Sequence, residues 1–254
     1  MSLGQHLVEL RKRISISAVA IILFAIPAWW AVPFVWGALS APVLEVAERQ
    51  NRDASLAYTT IGEAFDTQLL IMFLVGIVAS SPIWLYQLWA FIVPALHQRE
   101  KRFAIGFIAA AVPLFVGGCL AAWFVFPNIV ILLTSFAFDE SATFLGARAY
   151  LDFAIKFILA IGVGFLFPVV LVALNFARVI TGTGILKAWR WAILGITAFT
   201  AIATPAADVL SMVLLAIPMV GLYFAAAGIA SINDKRVAKR EAALNAEYGI
   251  RVDD

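Results

Sequence analysis

Ser81–Arg102, SPIWLYQLWAFIVPALHQREKR, is the stretch on which the fold turns. An apolar helix carrying Tyr86, Gln87 and Trp89 runs up to Pro94, where the missing N–H and the ring end a helix. A loop follows in which one carboxylate, Glu100, stands among Arg99, Lys101 and Arg102. An uncharged run that stops at such a cluster marks the point where a buried span meets water.

The same alternation repeats along the chain. Of 254 residues, 63% are hydrophobic and only 13% charged, against about a quarter charged in an ordinary soluble domain. Mean hydropathy is +0.97. This is an integral membrane protein by composition. Net charge is +2, but the charges cluster between apolar runs, so no uniform basic surface for nucleic acid is expected. Cys119 is the only cysteine, which excludes an intramolecular disulfide, and it reads as a small packing residue.

Charge-free runs of about 20 residues, the length that crosses a hydrocarbon core of about 30 Å, mark four spans: 14–36, 67–94, 103–127 and 151–176. Arg11, Lys12 and Arg13 precede the first in the manner of a secretory signal. The run from Ile14 to Trp36 is too long for a cleaved signal core, so it is expected to be retained. The apolar region from Trp191 to Ile232 is interrupted by Thr204-Pro205-Ala206-Ala207-Asp208. A proline beside an acid suits a turn, dividing the region into spans at 189–203 and 209–229. Residues 1–232 thus read as a six-span membrane domain and 233–254 as a charged tail continuing the last helix.

Loop charges orient the bundle. One set of connections holds Arg11, Lys12, Arg13, Arg99, Lys101, Arg102, Arg178, Lys187, Arg190 and the Lys235–Arg251 group. The other holds only Arg49, Arg52 and Arg148. The positive-inside rule places both termini in the cytoplasm. Loops 37–66 and 128–150 then lie outside. Thr60-Ile61-Gly62-Glu63 fits a capping box at the second span, and Asp152 can pair with Lys156 four residues on. Pro27, Pro33, Pro82, Pro113, Pro168 and Pro218 predict kinked helices. The expected fold is an all-α membrane protein, six transmembrane helices in a proline-kinked concave bundle.

Enzyme signatures are absent from the sequence: there is no H-E-x-x-H pair, no nucleophile elbow and no P-loop. No metal site is expected, and no cofactor. A small-molecule secondary transporter, the alternative reading, would place ionisable groups near the bilayer midplane, and Lys156 and Asp208 fall near its outer edge.

Ser81–Arg102 resembles the signature of the twin-arginine translocase TatC family, S-P-x-x-x-Y-Q-x-W-x-F-x-x-P-x-L followed by an E-[KR]-R loop. His6-Leu7-Val8-Glu9-Leu10-Arg11-Lys12-Arg13 resembles that family's H-L-x-E-L-R-x-R opening. Thr204–Asp208, with Leu215-Ala216-Ile217-Pro218 and Leu222-Tyr223, resembles a third family block, one residue longer than the usual T-P-P-D. The resemblance implies a core receptor that binds signal peptides bearing paired arginines, and Glu9, Glu100, Arg11, Arg13, Gln87, Lys101 and Arg102 are the candidate contacts. A carboxylate meets a guanidinium fork with two hydrogen bonds, so two acids suit two arginines. Without the family, Arg11, Lys12 and Arg13 read as an anchor for anionic headgroups.

The resemblance further implies TatA-like and TatB-like single-span partners, a homo-oligomer within the complex, and export of folded proteins across the bacterial plasma membrane on the proton gradient. Thr200, Thr204, Asp208, Ser211 and Met212 are the candidate docking face. Thr197, Thr200 and Thr204 share one helix face, for which internal packing is the alternative role. Two family positions depart here: Leu166 and Phe224 stand where many relatives carry acids.

Overall fold

The computed structural model describes residues 3–50, 55–92, 101–135, 144–203 and 209–247. These residues are helical apart from short turns and two three-residue strands. α1 (Leu3–Ala25) gives way to a 3-10 turn at Pro27–Ala31, and α2 (Val32–Gln50) follows at a 45° bend. Pro27 sits in the first turn of the new segment, where its missing N–H costs nothing. α3 (Glu63–Ala79) and α4 (Ser81–Ile92) bend by 61° about Ser80, again with proline, Pro82, in the first turn. The Trp84 indole donates to the Ile77 carbonyl at 2.9 Å, supplying a partner near the helix end.

α5 (Lys101–Ser135) is continuous through Pro113 and Pro127. α6 (Ala147–Gly164) and α7 (Phe167–Phe176) form one apolar stretch broken at Phe165 and Leu166, with Pro168 opening α7. A short α8 (Gly182–Lys187), α9 (Trp189–Ala203) and a 39-residue α10 (Val209–Glu247) complete the chain. By length and composition three helical stretches can each cross a membrane, and the two bent pairs bring the number to five. α9 has 15 residues, about 22 Å at 1.5 Å per residue, short of a core of about 30 Å.

Several expected boundaries shift. The first span is two segments, since Pro27 breaks it, and the following connection is helical as far as Gln50. Span two is likewise divided at Ser80. Span three extends past Pro127 to Ser135, the helix running on through the proline. α10 runs through residue 232 without a break. A further element was not anticipated: β1 (Ser55–Ala57) pairs in parallel with β2 (Phe144–Gly146), joining the two connections at that end.

The core lies where α5 meets α6. Phe115, Phe126, Leu151, Phe157 and Ile161 are fully buried there. Gly162 permits the close approach, since a Cβ would lie 2.5 Å from Cys119 Sγ. Small residues let membrane helices pack backbone to backbone in this way. Tyr150 on α6 donates to the Leu39 carbonyl on α2 at 2.5 Å, binding a third element to the pair.

Candidate functional site

α1 packs along α3 and α4. Gly76 allows it, because a Cβ there would come within 2.8 Å of the Ile21 carbonyl. The contact carries the polar start of α1 to the end of α4. Glu9 and Arg13, one turn apart, form an ion pair with Arg13 Nη2 at 2.5 Å and Nε at 3.1 Å from Glu9 Oε1. Arg13 Nη1 also donates to Gln87 Oε1 on α4 at 3.3 Å. Beside this link the His6 ring stacks on Phe91 at 4.6 Å, and Trp89 stacks on Phe107 of α5 at 4.0 Å.

Glu9, Arg13 and Gln87, distant in sequence, are thus brought together. Glu9 does not stand open as a bare acid, because Arg13 already engages it. Both Arg13 bonds fall on Oε1, and among the described residues Oε2 accepts none. The pair is only about a quarter exposed, so it is worth more than a free surface pair of about 0.5 kcal/mol. Arg11 and Lys12 are exposed on the same turn. Glu100 lies outside the described residues, and of Lys101 and Arg102 only the backbone, opening α5, is described.

The second candidate set is less united. Thr200 is fully buried, its hydroxyl donating back to the Ile196 carbonyl at 3.0 Å and the Thr197 carbonyl at 3.1 Å. It faces the interior of the molecule and does not present a polar surface to a partner. Such back-bonding satisfies a hydroxyl where water is lacking. Thr204 and Asp208 lie outside the described residues, as does the Ser211 side chain; Met212 is half-buried. Among the described residues, α9 and α10 expose apolar side chains near this end: Ile202, Val209, Val213 and Ile217.

Between these regions lies a cavity of about 840 Å³, lined from six helices and the turns flanking α7 by residues that include Leu85, Trp89, Phe107, Leu166, Phe199 and Met219. Its lining is overwhelmingly apolar. Leu166 is one of the wall residues.

Two polar knots go beyond the sequence reading, which anticipates only the capping box at the first. At the far end of α3, Glu63 is buried and accepts from the Thr59 N–H (2.5 Å) and hydroxyl (2.7 Å), the Thr60 N–H (3.2 Å) and the Arg148 N–H (3.0 Å). The Thr60 bond is the reach-back of the expected capping box; the others join the two connections. Hydrogen bonds from the Thr59 side chain, then from its backbone and that of Arg148, hold the Glu63 carboxyl down at about 2. Arg148 also meets Asp66 at 2.8 Å and Asp152 at 3.8 Å, so Asp152 pairs backward along α6 with Arg148, whose fork reaches both acids, and not with Lys156.

At the other end, Asn175 is buried. It donates to the Ile180 carbonyl at 3.0 Å and to Asp234 Oδ1 at 2.8 Å, while the Gly182 N–H meets Asp234 Oδ2 at 2.6 Å. Arg178, left-handed at φ 58°, reaches Glu241 at 2.9 Å. A lone asparagine closing the apolar run of α7 was the available signal. Among the described residues no group of three His, Cys, Asp or Glu side chains could hold a metal ion.

Comparison with known proteins agrees with this arrangement. The family model "Sec-independent protein translocase protein (TatC)" matches residues 5–218. Among curated relatives, a Sec-independent protein translocase protein TatC of Xylanimonas cellulosilytica is 40% identical over 242 residues, 95% of this chain and 88% of the relative. The TatC of Aquifex aeolicus is 33% identical, covering 88% and 92%. A crystal structure of the twin-arginine translocase receptor TatC in DDM superposes with a TM-score of 0.72 at 32% identity, covering 89% of this chain and 99% of that one. The chain therefore belongs to the TatC family, the membrane receptor subunit of the twin-arginine protein translocase and not an enzyme.

Proposed function

We propose that the polar end of α1 and α4, together with Glu100 on the connection after α4, receives twin-arginine signal peptides of folded cargo. The observation that carries this reading is the half-occupied carboxylate of Glu9. Arg13 holds it through Oε1 and is itself steadied by Gln87, which leaves Oε2 to accept an incoming guanidinium. A preorganised acceptor loses less side-chain freedom on binding, and a charge-assisted bond is worth roughly 1.5–3 kcal/mol. Glu100, flanked in sequence by Arg99, Lys101 and Arg102, would take the second arginine, with Arg11 setting the local field.

In this reading both termini are cytoplasmic, in keeping with the Lys/Arg asymmetry, and α9 crosses a locally thinned bilayer as the fifth of six spans. The exposed apolar surface of α9 and α10, with Met212 beside it, the candidate residues Thr204 and Asp208 in the sequence that joins the two helices and Ser211 in the first turn of α10, docks TatA-like and TatB-like helices. Thr200 contributes from inside by fixing α9. The assembly works in the plasma membrane on the proton gradient.

The test is a photo-cross-linking experiment on the full chain. A signal peptide carrying a photoreactive group beside its arginine pair should attach within the segments around Glu9 and Gln87, and excess unlabelled Arg-Arg peptide should abolish it. Attachment only elsewhere, or equal competition by a Lys-Lys peptide, would refute the assignment.

A further inference from the structure

α10 is longer than a bilayer requires. Its 39 residues reach about 58 Å at 1.5 Å per residue, nearly twice the hydrocarbon thickness. At about 100° per residue, the exposed Leu214, Ile217, Ile229 and Ile232 fall within one arc of about 120°. Lys235, Arg236, Lys239 and Arg240 continue that arc, and all four are exposed. Among the described residues none of the four enters an ion pair.

The opposite side of the same helix is occupied. Tyr223, Ala227 and Ala230 are buried there, and beyond them Asp234 and Glu241 are taken up by Asn175, Gly182 and Arg178. The two acids of this stretch are thus turned toward the protein. The segment is clasped, so the basic face has a fixed heading: the heading of the lipid-facing isoleucines below it.

We infer that Lys235, Arg236, Lys239 and Arg240 form a binding face for the headgroups of anionic phospholipids in the leaflet where α10 emerges. Continuity decides for lipid over an acidic protein segment. Arg236 lies one turn, about 5.4 Å, beyond Ile232, at the depth of the headgroup layer. Lys239 and Arg240 lie one turn higher, within reach of phosphates by their long side chains. Basic residues at that depth attract anionic lipid in a salt-dependent manner. The inference needs α10 to cross the bilayer; it does not depend on signal-peptide binding, and either can fail without the other.

The test uses the full chain reconstituted in phosphatidylcholine bilayers. The relative association of spin-labelled phosphatidylglycerol over spin-labelled phosphatidylcholine is measured for the unmodified chain and for K235Q/R236Q/K239Q/R240Q. The phosphatidylglycerol preference should fall at least fivefold in the variant, the effect of losing even one such charge, and high salt should erase it in the unmodified chain. K235R/K239R should retain it. If the fourfold variant does not fold, K235Q/R236Q serves with the same expectation. Equal preference in the unmodified and Gln chains overturns the inference. Absence of any preference in the unmodified chain also overturns it, and leaves an acidic protein segment as the occupant.

Discussion

Replacing Asp234 by alanine strips two acceptors from a buried knot. Gly182 loses its N–H partner at 2.6 Å and Asn175, 1% exposed, loses one of two acceptors, at 2.8 Å. Hydrogen bonds to a charged group contribute about 1.5–3 kcal/mol each. Asp234 is only half-buried, and water reaching the gap recovers part of this, leaving a loss of about 2–4 kcal/mol. For a chain of this size each kcal/mol moves the midpoint by about 2–4 °C, so D234A should melt roughly 5–15 °C lower. Asp234→Asn should cost nearly as much, because both native partners are donors and the new amide offers one oxygen and one clashing NH2 group.

Cys119, the only thiol and buried in the core, supplies the assay: a thiol-reactive dye reports unfolding as the temperature rises. The double substitution D234A/N175L removes donor and acceptor together, and should cost less than the sum of the single changes. A midpoint within 2 °C of the unmodified chain for D234A, or strict additivity in the double variant, would refute the reasoning.

The same dye assay reads Gly76→Leu, which places carbon against the Ile21 carbonyl and Ala25 and should cost about 1–3 kcal/mol by overpacking; Gly37→Ala, with nothing within 4 Å, should be neutral. The Glu63 carboxyl is lowered from 4.5 to about 2 by bonds that exist only in the fold, so its contribution is fully present above about 4.5 and is lost as pH falls toward 2. Acid titration of the melting midpoint should therefore show a decline over that window that Glu63→Gln abolishes; an identical decline in both would count against it. In a Cys119→Ala background, single cysteines at Ser55 and Asn245 should label only from outside and only from inside, respectively, and labelling of Asn245 from outside would sink the proposed orientation.

Much of the helix map was legible because membrane spans advertise themselves by length and lack of charge. The apolar stretches at 189–203 and 209–229 are helical, in α9 and α10; the interruption at Thr204–Asp208 lies outside the described residues. Proline was a weaker guide. Pro27, Pro82 and Pro168 each open a new segment, while Pro113, Pro127 and Pro218 sit inside continuous helices, since packing decides whether a lost hydrogen bond bends or breaks a helix.

The Arg13 link to Gln87 spans 74 residues and the Asn175 link to Asp234 spans 59. Family resemblance singled out Arg13 and Gln87 one by one without pairing them, and nothing pointed to the second pair, because periodicity says which face a residue occupies and not what lies opposite. The threonine stripe shows the same limit: periodicity assigned Thr200 to a helix face, and burial turns that residue inward.

The central claim is that carboxylates of this chain read paired arginines. Calorimetric titration of the full chain with Arg-Arg and Lys-Lys signal peptides, repeated on Glu100→Gln and Glu9→Gln, tests it most directly. Loss of one charge-assisted bond of roughly 1.5–3 kcal/mol predicts Arg-Arg binding weaker by about tenfold to a hundredfold in Glu100→Gln. Glu9→Gln should lose less, since its carboxylate is already shared with Arg13, and neither change should much alter Lys-Lys binding. Glu100→Gln binding both peptides with the same preference as the unmodified chain would contradict the account.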